Sequence, residues 1–160
     1  MRDPFSVLLV EDEAPKRDHV ERFLLGEFDS QNLLISGCKS VSSAIEYFEH
    51  GTSDVLLLDM SLPTFDIAER ETGGRPQAFG GIEVLRALDY SGHIIPTIVL
   101  TGYEAFVDDS GTMNLDELTC DLTEEFPDFI DRVIHYSASH QRWKIDLKDA
   151  IKAIFKRRVL

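Results

Sequence analysis

The chain has 160 residues and sets 29 Asp plus Glu against 16 Lys plus Arg, a formal net charge of -13. That length suits one domain of about 100–200 residues, and a 43% hydrophobic content argues against general disorder. The acidic balance disfavours binding to nucleic acid or an anionic membrane, since both need a positive surface. No apolar run reaches the roughly 18–20 residues of a membrane span, and the start MRDPFSVLLVED lacks a signal-peptide layout. Cys38 and Cys120 are too few for a disulfide scaffold, so a soluble cytoplasmic protein is expected.

In chain order, Ser6 to Val10 is a continuous apolar run that ends in Glu11, Asp12 and Glu13. Ala14 to Leu25 follows with helical spacing, carrying Val20, Phe23 and Leu24 on one side and Pro15 in its first turn. Leu33 to Ser36 reads as a second strand, ended by Gly37. Ser40 is a suitable N-cap for a helix presenting Val41, Ala44, Ile45 and Phe48, stopped by Gly51. Val55 to Leu58 runs into Asp59, and Ile95 to Leu100 runs into Thr101 and Gly102. Between them Gly81 to Leu88 presents Ile82, Leu85 and Leu88 as a helix face.

A fifth strand is expected near Phe129 to Tyr136. The last helix, about Trp143 to Arg158, spaces Trp143, Leu147, Ile151, Ile154 and Phe155 on one face. Its opposite stripe of Lys144, Lys148, Lys152 and Lys156 reads as a solvated surface. Continuous apolar runs suit strands buried on both faces. Their alternation with helices predicts a flavodoxin-like, doubly wound α/β fold: five parallel strands in one sheet, helices on both faces.

Two segments exceed the roughly 2–6 residues usual for a βα connection. One, about 64–80, is centred on Gly73-Gly74-Arg75-Pro76. The other, about 103–131, carries ten carboxylates and no Lys or Arg. Leu115, Leu118, Leu122, Phe126 and Phe129 in the latter suggest a short helix packed on the core. Residues 1–160 are therefore read as one domain with two insertions.

In such sheets the functional crevice lies at the carboxyl ends of the strands. Glu11 and Asp12, Asp59 and Thr101 follow three of the strands, so they are expected to converge. Carboxylates gathered without a cation repel one another and raise a pKa. Mg²⁺ fits, because it takes hard oxygen ligands and keeps waters that a phosphate can replace. An Asp beside such a metal is a nucleophile for a phosphoryl group, and the Thr101 hydroxyl is placed to hydrogen-bond the arriving oxygen.

The segments VLLVEDE, DVLLLDMSLP and TIVLTG, in this order, resemble the receiver domain of bacterial two-component response regulators. The match covers about residues 6–63, 81–102 and the final helix. The resemblance implies that Asp59 accepts a phosphoryl group from a histidine kinase or phosphotransfer protein. It also implies that Glu11 and Asp12 form the acidic pair around Mg²⁺, with Asp12, Asp59 and the backbone carbonyl of Ser61 as ligands. Leu62-Pro63 matches the family's following loop, and Thr101 takes the place of its switch hydroxyl. Such a protein is a regulator rather than an enzyme. With no length left for a DNA-binding output domain, its output is expected to pass to a downstream protein effector.

Two departures from the family stand out. Its Lys-Pro at the end of the fifth strand is replaced by Tyr136-Ser137, and its aromatic switch position by Val133. That leaves His135, or Lys144 beyond it, as speculative replacements for the missing cation. An aspartate-based phosphatase would want a second Asp two residues after the nucleophile, where Ser61 stands. The alternative of another class is a receiver-like interaction module that is not phosphorylated, motivated by the missing Lys.

Among the remaining residues, Glu13 is expected in the first helical turn, favoured there by the macrodipole. His19, His50 and His93 are expected on the surface, Cys38 and Cys120 as small apolar fillers, and Trp143 as the anchor of the last helix.

Overall fold

The apolar runs become the centre of a parallel sheet in a computed structural model that describes residues 3–66, 79–102, 105–108 and 111–159. The strands are β1 (Phe5–Val10), β2 (Leu33–Cys38), β3 (Val55–Leu58), β4 (Thr97–Thr101), β5 (Ala105–Asp108), β6 (Gly111–Asn114) and β7 (Ile130–His135). The helices are α1 (Ala14–Glu27), α2 (Val41–His50), α3 (Gly80–Ser91), α4 (Leu115–Glu125) and α5 (Arg142–Val159). The main sheet has the order β2-β1-β3-β4-β7, and each of its strand pairs is parallel. This is the five-stranded, flavodoxin-like arrangement that the alternating pattern predicts.

Alternation along the strands divides the core in two. Leu8, Val10, Leu56 and Leu58 face α2, α3 and α4, meeting Phe48, Leu85, Leu88, Leu118 and Leu122. Val7, Leu9, Val55 and Leu57 face α1 and α5, meeting Val20, Leu24, Trp143, Leu147 and Ile151. Because side chains two residues apart share a face, this parity also decides where residues just past a strand will point. Backbone pairing continues one residue beyond both central strands, with Glu11 N donating to Cys38 O at 3.0 Å and Asp59 N to Val10 O at 3.1 Å. Glu11 and Asp59 thereby inherit the parity of Val7, Leu9, Val55 and Leu57, the side covered by α1.

Local sequence explains most boundaries. Ser40 caps α2 with a reciprocal bond to Ser43, and Gly51 closes that helix, both as predicted. Pro15 occupies the first turn of α1, where its missing N–H costs no helical bond. Strand β2 runs through Gly37 to Cys38, two residues beyond the expected end, because its partner β1 continues to Val10 opposite Cys38. Glu13 is the N-cap of α1 rather than a residue of its first turn, and its side chain makes no capping bond. The acidic segment holds a β5–β6 antiparallel hairpin that sequence periodicity did not suggest, followed by the expected helix, α4. Asn114 and Glu117 cap that helix reciprocally. The Gly73-Gly74-Arg75-Pro76 centre of the first insertion lies outside the described residues.

Cys38 is buried as expected, whereas Cys120 is exposed on α4. Trp143 is fully buried, its ring packed edge-on against His19 and Phe23. His19 is therefore half-buried rather than on the surface: α1 must cover Trp143, and position 19 lies on the covered side.

Candidate functional site

The site is built at the carboxyl ends of β1, β3 and β4, where the predicted residues do converge. Glu11, Asp12 and Asp59 each offer a carboxylate oxygen, and these oxygens lie within 4.8 Å of one another. Glu11 and Asp59 are buried and Asp12 is half-buried. Met60 N donates to Asp59 Oδ1 at 2.9 Å, fixing the carboxylate against its own backbone. Glu13 N donates to Glu11 Oε1 at 3.1 Å.

The approach of α3 tightens this corner from the other side. Gly81 N donates to Met60 O at 2.9 Å. A Cβ on Gly81 would lie 2.5 Å from Asp59 O, and one on Gly80 would lie 2.5 Å from Leu62 O. The Gly80-Gly81 pair is thus what lets the start of α3 reach the backbone on either side of Ser61. Ser61 itself is half-buried in the loop that follows β3. That loop is held to the start of α2, where Val41 N donates to Pro63 O at 3.0 Å and Ser42 N to Thr64 O at 2.9 Å.

A cation completes the cluster from an element that sequence reasoning overlooked. Lys16, in the first turn of α1, is 4% exposed. Its Nζ lies 2.6 Å from Glu11 Oε2 and 3.2 Å from Asp59 Oδ1, and donates to Leu100 O at 2.6 Å. A lysine this buried needs such partners. A cation in the first helical turn also opposes the helix dipole, and no acidic residue accompanies it there. The two acidic side chains beyond the strand ends are what make the position favourable. The available signals were the parity that turns Glu11 and Asp59 toward α1 and this misplaced charge.

The two candidate replacements for the family's Lys do not fill its place. Lys144 Nζ lies over the Phe23 and Trp143 rings, 5.9 and 5.7 Å from their centroids. His135 pairs with Thr101 in the β4–β7 ladder, whose register shifts after Thr97 so that Ile98 meets Arg132. Tyr136 N then donates to Thr101 O at 2.8 Å, so Tyr136 and Ser137 stand at the end of the last core strand as expected. Val133, at the family's aromatic switch position, packs against the α2–α4 core. The Tyr136 ring covers Lys16, whose Nζ is 5.4 Å from its centroid, and the Tyr136 hydroxyl pairs with His19 Nδ1 at 2.8 Å.

Charge balance makes the cluster receptive to a further cation. One ammonium faces three carboxyl groups, two of them buried and one half-buried. Burial and the neighbouring Asp59 charge push the Glu11 carboxyl up to about 8, against the pull of Lys16. Burial and Asp59 likewise raise Asp12. Burial raises Asp59 itself, opposed by Lys16 and by backbone donors. For Lys16 burial acts downward, but the charges of Asp59 and Glu11 outweigh it and hold the ammonium protonated.

A hard divalent ion such as Mg²⁺ matches this donor set. A cavity of about 350 Å³ opens over Asp59 and Lys16 between Glu13, Gly102, His135, Tyr136 and Ser137. Thr101 is fully buried, and its Oγ1 has no hydrogen-bond partner among the described residues.

This topology is the fold of response-regulator receiver domains. A receiver domain protein from Methanospirillum hungatei superposes with a TM-score of 0.61 at 15% identity, over 97% of this chain and 99% of that one. The response regulator TrrA from Thermotoga maritima, in complex with Mg²⁺-BeF, gives 0.59 at 18% identity over 91% and 98%.

Among curated proteins the chain is similar to the Detocs response regulatory protein DtcB of Enterobacter cloacae, 23% identical over 148 residues, covering 89% of this chain and 95% of that protein. The protein of the same name from Vibrio alginolyticus is 32% identical over 104 residues, 61% of this chain and 65% of its own length. No family model matches the chain. These comparisons share the receiver-domain fold and response-regulator relatives. Among the described residues no helix is long and apolar enough to cross a membrane.

Proposed function

We propose that the chain, as one receiver domain over residues 1–160, accepts a phosphoryl group on Asp59 from a histidine kinase or phosphotransfer protein. The observation that carries this reading is the convergence of Glu11, Asp12 and Asp59 on one cation-sized space at the strand ends, with Thr101 at the end of β4 holding a buried hydroxyl that has no partner among the described residues. Asp12, Asp59 and the Ser61 carbonyl would hold Mg²⁺, with Glu11 supporting them. When bound, that ion offsets the negative charge of the phosphoryl oxygens against the carboxylates.

The chain's own groups supply the rest. Asp59 is fixed by Met60 N with its carboxylate beside the cavity, ready to act as nucleophile. Thr101 Oγ1 is the donor that the arriving oxygen would satisfy, drawing the end of β4 toward Asp59. The β5–β6 hairpin begins four residues later and leads into α4, so the movement passes to the most acidic part of the surface. A population shift there would alter which effector protein the domain holds.

The competing reading, an unphosphorylated interaction module, drew its motive from a missing cation, and Lys16 removes that motive. The test is intact mass after incubation with acetyl phosphate and Mg²⁺. Wild type gains one phosphoryl group and Asp59→Ala gains none. No gain in wild type at millimolar Mg²⁺ would favour the interaction module instead.

A further inference from the structure

We propose that Lys16, reaching the site from the first turn of α1, is the cation that holds the phosphoryl group on Asp59, and that Tyr136 is its positioning residue. The proposal rests on the phosphoacceptor reading of Asp59 and adds to it where the charge comes from. The position at the end of the last core strand, from which the resembled family supplies its Lys, here carries an aromatic ring.

The geometry supports a division of labour between these two side chains. An ammonium has three donors, and Lys16 spends them on Glu11 Oε2, Asp59 Oδ1 and Leu100 O. The Leu100 carbonyl keeps its dipole whatever happens to Asp59, and Glu11 Oε2 lies nearer the ammonium than Asp59 Oδ1 does, so these contacts hold the ammonium where it is. The Asp59 contact is the exchangeable one.

On phosphorylation a lone pair of an Asp59 carboxylate oxygen forms the O–P bond. With acetyl phosphate as donor, the bond between phosphorus and the bridging oxygen breaks, and its electron pair leaves on acetate. No proton is transferred, and Lys16 stays protonated. Asp59 loses its carboxylate charge as the phosphoryl oxygens arrive with theirs, so the third donor of Lys16 turns from Asp59 to a phosphoryl oxygen.

Tyr136 limits where that ammonium can go. Its ring lies against the Nζ at cation–π distance. Its hydroxyl is pinned by His19, one turn further along the helix that carries Lys16, and its edge rests on Trp143. The same ring lines the cavity above Asp59. A lysine on the strand and a lysine on α1 would compete for one place, and in this chain the aromatic residue fills the vacated position.

Relocating the charge tests this. The proteins to compare are wild type, Lys16→Met, Lys16→Gln and the double variant Lys16→Met/Tyr136→Lys, which returns an ammonium to the strand end. Each is checked for a cooperative thermal melt, and the rate of Mg²⁺-dependent phosphorylation by acetyl phosphate is followed by intact mass. Loss of one preorganised charge contact should slow the reaction about 10²-fold in Lys16→Met, and the double variant should recover most of that loss.

Should the methionine protein fail to fold, Lys16→Gln, which keeps a donor for the Leu100 carbonyl, must show the slowing instead. For the positioning role, Tyr136→Ala should be slower than wild type while Tyr136→Phe, which keeps the ring, stays near it. Phosphorylation at the wild-type rate in a folded Lys16→Met or Lys16→Gln protein would overturn the inference alone. So would a folded double variant no faster than the single one. A wild type that gains no phosphate would overturn the phosphoacceptor reading, and this inference with it.

Discussion

Lys16 Nζ lies 3.2 Å from Asp59 Oδ1 although the two residues belong to different layers of the fold, one to the first turn of α1 and the other to the end of β3. The contact depends on a single parity. Pairing that extends one residue past β1 and β3 turns Glu11 and Asp59 toward α1, and the only lysine in the first turn of that helix meets both. The acidic cluster is thereby partly balanced from within the fold, leaving negative charge that a divalent ion would offset.

That remaining charge predicts metal binding with a measurable effect on stability. Ligands that bind the folded state alone raise the unfolding midpoint in proportion to the logarithm of their concentration. Titration with Mg²⁺ should therefore raise the midpoint of wild type. Asp12→Asn, which removes a half-buried carboxylate from the cluster, should need a higher Mg²⁺ concentration for the same rise. Equal responses from the two proteins would show that Asp12 is not a ligand.

The metal-free protein should also carry a distinctive pH dependence. Glu11 is raised from 4.5 to about 8 by burial and by Asp59, so the folded state holds this proton more tightly than the unfolded chain does. Folded-state proton binding of that sign contributes stability below pH 4.5, and the contribution is lost as pH rises toward about 8. The unfolding midpoint of wild type relative to that of Glu11→Gln should fall across this window, and saturating Mg²⁺ should reduce the fall. A difference between the two proteins that is flat, or that rises with pH, would contradict the charge balance described for the cluster.

Close packing of α3 against the acceptor loop gives a steric prediction. A Cβ at position 81 would sit 2.5 Å from the backbone oxygen of Asp59, which cannot move without disturbing the acceptor. Gly81→Ala should cost about 1–3 kcal/mol in denaturant unfolding, and the folded fraction should accept phosphate more slowly than wild type. Gly26→Ala, at an α1 position with open space around the added carbon, is the control and should do neither. Equal stability of Gly81→Ala and Gly26→Ala would show that α3 does not press on this loop.

Much of the fold was legible because buried parallel strands write themselves as unbroken apolar runs. Val7 to Val10, Val55 to Leu58 and Ile98 to Leu100 are buried on both faces, so no alternation was needed to find them. The end of β7 was harder to register, because Ile134 alone of its residues is fully buried. Glu11, Asp59 and Thr101 could be placed because each follows an unbroken apolar run directly, and Asp12 because it is next after Glu11.

Lys16 and the hairpin were less legible, for different physical reasons. Lys16 works through a contact across layers, which the apolar face of a helix does not reveal. His19, expected on the surface, is half-buried for a similar reason, since its packing against Trp143 joins the first helix to the last. The β5–β6 pair is a local antiparallel ribbon outside the main sheet, where no buried run marks its strands.

The proposed function stands or falls on Asp59 as the residue that carries the phosphoryl group. The most direct measurement is to phosphorylate the protein with acetyl phosphate and Mg²⁺, reduce the acyl phosphate with borohydride and sequence the peptides by mass spectrometry. Reduction converts a phosphorylated aspartate to homoserine, which marks its position permanently. Homoserine is expected at position 59 and at no other aspartate. Homoserine at Asp12 or elsewhere with Asp59 untouched, or no reduced residue in a protein that takes up phosphate, would contradict it.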